Sequence, residues 1–197
     1  MKILIMTCSP NEDGLTESCG KAAKGGVETG NGEAVTVRLN DLNISRCDAC
    51  DHGWGTCLQD HRCKLEDDFE SVHKTFGEVD GFIIVTPVYW WDMSESAKAF
   101  FDRLRRCEAR AEPGKIRDKP YICVAAAGGT GHGTLACLTQ MDRLFLHMNG
   151  LNYREIKKFD YIGVTQRNKS YMIEAIRAAA EKMARGSLPR RRYQWAQ

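Results

Sequence analysis

The 197-residue chain contains no apolar run long enough to cross a bilayer. It has almost no net charge: 28 basic residues against 26 acidic ones leave +2, which draws it neither to nucleic acid nor to a membrane surface. It lacks the Gly-Lys-Ser/Thr ending of a Walker A loop. The Gly-x-Gly-x-x-Gly turn of a Rossmann dinucleotide site is missing too. There are no internal repeats, no low-complexity segment and no interdomain linker. No Ser/His/Asp triad or paired-carboxylate site stands out, which fits chemistry borne by a cofactor. The opening MKILIMTCSP lacks the h-region and small-residue cleavage site of a signal peptide, so it is expected to form a first strand in a cytoplasmic protein. Hydrophobic content of 43% and charged content of 27% are ordinary for a globular chain, and one domain over 1–197 is expected.

Cysteine, by contrast, is abundant. Nine is an odd number and, with no export signal, does not suit a disulfide framework. Four of the nine, Cys47, Cys50, Cys57 and Cys63, fall in a stretch (43–65) without clear periodicity, with His52 and His61 between them. Cys47-x-x-Cys50 lets two thiolates converge on one centre. Three readings stand: free thiols in an excursion loop, an iron–sulfur cluster, or zinc.

The stretch 79–104 organises the rest. Phe82-Ile83-Ile84-Val85, between Gly81 and Pro87, reads as a strand buried on both faces. The strand is expected to break at Pro87. Tyr89, Trp90 and Trp91 then follow in a row, and three consecutive aromatics cannot all enter one core. They suit a flat conjugated ligand, or cover an apolar edge or oligomer interface. Ser94 reads as the N-cap of a helix carrying Ala97, Phe100, Phe101 and Leu104. Its arginines, Arg103, Arg105, Arg106 and Arg110, read as a solvated face, with a phosphate-docking patch as the alternative.

Other elements follow the same alternation. A strand at 2–7 leads through Ser9–Thr16 into a helix, making an anion site of free N–H groups and helix dipole. Gly25, Gly26, Gly30 and Gly32 predict a weak helix end and a mobile loop. A second strand is expected at 34–39. A helix is expected from Glu66 to about Val79, with Asp67 and Asp68 in its first turn and His73 packed or on the surface. A fourth strand at 120–126 runs into a loop holding Gly128, Gly129, Gly131, His132 and Gly133, where backbone can approach a ligand closely. A fifth strand is expected within 151–164, near 151–156, a last helix over 168–185, and a basic tail over 186–197. The fold class is therefore α/β: a three-layer sandwich with a five-stranded parallel sheet in the order 2-1-3-4-5. That order sets three loops side by side at the carboxyl edge. FMN has the matching shape, with its phosphate at Ser9–Thr16 and its ring between Pro87–Met93 and Gly128–Gly133.

Three motifs carry a resemblance. Ser9-Pro10-Asn11-x-x-Gly14-Leu15-Thr16 looks like a phosphate loop. Thr86-Pro87-Val88-Tyr89-Trp90-x-x-Met93-Ser94, followed by Lys98-Ala99-Phe100-x-Asp102-Arg103, looks like a flavin loop and its helix. Cys47-x-x-Cys50 with Cys63 through Asp68 looks like a cysteine segment with trailing acids. With these, the chain resembles the NADPH-dependent FMN reductase and iron–sulfur flavoprotein branch of the flavodoxin-like superfamily. The resemblance implies a ping-pong oxidoreductase that takes hydride from NAD(P)H onto FMN and passes electrons to flavin, quinone or another small acceptor. It implies that Ser9, Pro10, Asn11, Gly14, Leu15 and Thr16 hold the phosphate. It implies that Pro87, Val88, Tyr89, Trp90, Trp91 and Met93 line the ring, with Gly128, Gly129, Gly131 and His132 at its other edge. A homodimer or homotetramer is implied as well. The alternatives are an electron carrier with a 4Fe–4S cluster that exchanges electrons with ferredoxin, and a zinc-binding regulatory module. Asn11 stands where the family usually has Arg or Lys, Leu15 where Asn is common, and Gly53 where iron–sulfur members place a third cysteine.

Overall fold

The computed structural model describes residues 1–148 and 157–191. In chain order the elements are β1 (Lys2–Thr7), α1 (Leu15–Thr29), β2 (Glu33–Arg38), α2 (Thr56–Gln59), α3 (Phe69–Glu78), β3 (Gly81–Tyr89), β4 (Asp92–Met93), α4 (Glu95–Glu108), β5 (Tyr121–Ala127), α5 (Thr134–Met148), β6 (Lys157–Thr165), α6 (Lys169–Ala184) and β7 (Arg190–Arg191). The sheet runs β2-β1-β3-β5-β6-β7, with β4 paired to β3. β4 and β7 are two-residue antiparallel additions. The other five strands are parallel and follow the expected 2-1-3-4-5 order.

Strand alternation divides the core in two. Leu4, Met6, Phe82, Ile84, Tyr121 and Cys123 face α3, α4 and α5. Ile3, Ile5, Ile83, Val85, Ile122 and Val124 face α1 and α6. Both faces are covered, which is why β1, β3 and β5 read as continuous apolar runs rather than alternating ones.

Several expectations change. β3 does not break at Pro87 but continues to Tyr89. Val85 turns its carbonyl to β1, accepting from the Cys8 N–H at 2.9 Å. Alternation sends the Pro87 nitrogen to that same side, past the last β1 pairing at Thr7, so no ladder bond is lost there. The proposed strand at 151–156 lies outside the described residues, and the strand present is β6. Residues 192–197 of the basic tail also lie outside them. α3 starts at Phe69, so Asp67 and Asp68 precede it. Their carboxylates instead accept the Ser45 and Asn43 N–H groups and hold that segment down. His73 is fully buried and bonds Glu108 at 2.7 Å. Gly26 does not loosen α1. A methyl there would lie 2.2 Å from the Arg177 carbonyl oxygen, so the glycine lets α1 and α6 touch.

Candidate functional site

The loop after β1 is tightly wound. Ser9 Oγ accepts from the Asn11 N–H, and Asn11 Oδ1 accepts from the Asp13 N–H, both at 3.2 Å. Gly14 caps α1 without any side-chain hydrogen bond to the helix. The first-turn N–H groups therefore keep their capacity for an external acceptor, with the helix dipole behind them. Glu17 sits in that turn and shares Arg38, at 3.4 Å, with Asp41 at 2.9 Å and Glu12 at 3.7 Å, so its charge is offset only in part. Ser9 and Thr16 are buried; Pro10 and Asn11 are exposed.

The aromatic loop is a two-residue hairpin. Val88 pairs with Met93 and Tyr89 with Asp92, leaving Trp90 and Trp91 as the turn. Both have positive φ, 47° and 71°. Such turns prefer Asn-Gly, and bulky residues with positive φ cost energy. The strained turn holds Trp90 93% exposed and Trp91 56% exposed. Beneath it, Thr86 Oγ1 accepts the Ser94 N–H at 3.1 Å, and Ser94 Oγ donates to the Cys8 carbonyl at 2.8 Å. Ser94 Oγ also accepts the Ala97 N–H, as expected of an N-cap. These buried hydroxyls lock the end of β3 and the start of α4 to the first loop.

The third loop meets the second. Gly131 and Gly133 both have φ of +85°, and a methyl on Gly133 would lie 2.9 Å from Trp91 Cα. The rings of Trp91 and the exposed His132 are 6.5 Å apart at 37°. Methyl groups on Gly128 and Gly129 would meet nothing within 4 Å, so these residues border open space. The three loops thus gather an uncapped helix start, a pair of exposed indoles and a glycine rim. That suits a ligand with an anionic tail and a flat head. Three expected contacts are narrower than the sequence implies. Leu15 and Met93 bury their side chains in the two cores, and Pro87 is buried in the sheet. They offer backbone only.

A second site lies at the far end of α4. Cys47, Cys50, Cys57 and Cys63 all line one small pocket, so Cys57 shares it with the other three. Cys107, Arg103 and Arg106 of α4 complete it. The solvated face expected of the arginines holds for Arg110, which is exposed, but not for Arg103, which is 1% exposed. It forks onto Asp67 at 2.6 and 2.9 Å and donates to the Ser45 carbonyl at 2.9 Å. Burial alone would push the Asp67 carboxyl up, but the bonds from Arg103, Ser45 and Phe69 outweigh it and hold it below the usual carboxylate range. Arg106 donates to the Gly53 carbonyl and lies over Trp54, 5.0 Å from its centroid. The Nε–H groups of Arg103 and Arg106 are both buried without a partner. Burial, then the charges of Cys63 and Cys57, pushes the Cys107 thiol up to about 12. His61 Nδ1 donates to the Cys107 carbonyl at 3.1 Å, and His52 does not line the pocket. Among the described residues, no three His, Cys, Asp or Glu side chains converge as a single metal ion requires. The thiols surround a space instead. The sequence reading omits Cys107 and gives Arg103 and Arg106 to a solvated or phosphate-docking face. Their signal was position: Arg103 and Cys107 share the helix face of Phe100 and Leu104.

The model of the NADPH-dependent FMN reductase family matches residues 1–157. An iron–sulfur flavoprotein of Methanocaldococcus jannaschii is 26% identical over 151 residues, 74% of this chain and 72% of that one. Among solved structures, an NAD(P)H:quinone oxidoreductase from Methanothermobacter marburgensis superposes with a TM-score of 0.64 at 17% identity, covering 94% of this chain and 95% of that one. An FMN-dependent NADH-azoreductase from Bacillus anthracis, in complex with FMN, gives 0.64 at 14% identity, covering 95% and 100%. At such identities the structures show a shared fold.

Proposed function

The chain belongs to the NADPH-dependent FMN reductase family, and from that premise we propose that it oxidises NAD(P)H through FMN held at the three-loop edge and delivers the electrons to a small acceptor such as flavin or quinone. The observation that carries the reading is the convergence of the uncapped α1 start, the Trp90–Trp91 turn and the Gly128–Gly133 rim on one edge of the sheet. Bound FMN supplies the hydride-accepting and electron-donating chemistry. The chain supplies the rest. The first-turn amides of α1, with Ser9 and Thr16, hold the phosphate end. Trp90 and Trp91 offer flat faces to the ring and exclude water from it. Gly128 and Gly129 border open space and keep the opposite wall free of side chains, so backbone amides can reach the ring edge. His132, beside Trp91, presents a donor to a ring carbonyl or to the acceptor. Assembly as a homodimer or homotetramer belongs to the same reading, since a turn exposing two indoles gains from cover.

The test is uptake of FMN by the purified chain, followed by bleaching of the flavin bands with NADPH and NADH in turn, without oxygen. Reoxidation by added quinone or free FMN completes the cycle. A chain that binds no FMN refutes the reading.

The four-cysteine pocket favours a second reading, in which the chain also holds an iron–sulfur cluster and exchanges electrons with a ferredoxin. Thiolates from Cys47, Cys50, Cys57 and Cys63 are the donor set such clusters use. Two buried, unpartnered guanidinium N–H groups in the pocket wall fit an occupant that accepts hydrogen bonds. Iron and acid-labile sulfide measured on protein purified without oxygen decide this.

A further inference from the structure

Arg106 is a cation without a counter-charge. It makes no ion pair among the described residues, and its partners are a carbonyl and an indole ring. Its Nε–H is buried and unsatisfied, in the wall of the pocket that the loop cysteines line. A buried donor left unmade costs free energy, and a buried charge costs more. Arg103 carries a second orphan Nε–H, but its charge is already matched by Asp67. Asp48 and Lys64 also line the pocket, and their charges cancel. The wall is thus one positive charge and two N–H donors in excess of what the protein satisfies.

We propose that Arg106 is a positioning residue for a thiolate-ligated iron–sulfur cluster, its charge and Nε–H, with the Nε–H of Arg103, holding the cluster's negative charge and raising its reduction potential. The proposal rests on the cluster reading above. Each electron added makes the pocket more negative, so a fixed cation beside it favours the reduced form over the oxidised one. Cluster potentials respond to net charge and to hydrogen bonds on sulfur in this sense. Trp54 covers the guanidinium, and the bond to Gly53 ties it to the loop that carries the ligands.

The experiment loads the full chain with ferric iron, a thiol reductant and sulfide without oxygen, counts the iron, and titrates the cluster potentiometrically. Arg106→Gln keeps a donor for the Gly53 carbonyl and removes the charge. Arg106→Lys keeps the charge. The expected result is equal iron in all three proteins, a more negative midpoint in Arg106→Gln, and a midpoint for Arg106→Lys nearer the parent. Equal iron with an unchanged midpoint in Arg106→Gln overturns the proposal and leaves the cluster reading standing. An unmodified chain that takes up no iron overturns both.

Discussion

Arg103 and Asp67 are the residues on which the cysteine segment hangs. Their side chains are 1% and 5% exposed, and the pair joins α4 to the segment before α3. Removing one member strands the other charge. Arg103→Leu is therefore expected to cost about 3–5 kcal/mol, read as a drop in the urea midpoint. The pair also sets a pH dependence. The folded Asp67 carboxyl sits below its ordinary value of 3.8. Its contribution is full above that value and is lost as the pH falls through the lower folded one. Asp67→Asn should flatten this part of the acid limb of a stability-against-pH curve. An unchanged acid limb would show that the pair does not control it. Little of this was legible in the sequence. Arg103 lies among arginines that look solvated, and its partner is 36 residues upstream. Only the apolar neighbours on its helix face hinted at burial.

At the scale of elements, local signals are legible in the sequence and distant contacts are not. The buried run at 82–85 and the Ser94 cap depend on near neighbours, and both stand in the structure. The passage of β3 through Pro87 depends on where β1 ends, which no local pattern records. Gly26 depends on α6, far along the chain. Helix propensity favours Gly26→Ala by about 1 kcal/mol. The methyl would sit 2.2 Å from a backbone oxygen that cannot swing away. The clash should win, and Gly26→Ala is expected to destabilise the chain by about 1–3 kcal/mol. A stabilised variant would mean that α1 and α6 pack less closely. The Trp90–Trp91 hairpin gives the opposite sign. Replacing the pair by Asn-Gly relieves positive φ at two bulky residues, worth about 1–3 kcal/mol each at strained positions. That variant should melt higher than the parent and bind FMN more weakly. Tighter FMN binding would remove the indoles from the ring site.

At the scale of the whole molecule, α4 joins two places of different chemistry. Its N-cap anchors the Trp90–Trp91 hairpin, and Arg103, Arg106 and Cys107 near its other end face the cysteine pocket. From Ser94 to Arg106 the helix rises roughly 18 Å, so the two places share a scaffold without sharing a side chain. The proposed ring site draws on the ends of β1, β3 and β5, strands that pair side by side in the sheet. A ligand held by all three stabilises the folded chain as a unit. At a hundredfold excess over its dissociation constant, FMN should add about 2.7 kcal/mol, a rise in Tm of about 5–10 °C. Cys47→Ser with Cys50→Ser should keep that rise, because neither thiol touches the loops. Gly133→Val should abolish it, because its side chain would be driven into Trp91 from a backbone with φ of +85°. A rise lost in the cysteine variant and kept in Gly133→Val would move the flavin from the sheet edge to the far end of α4.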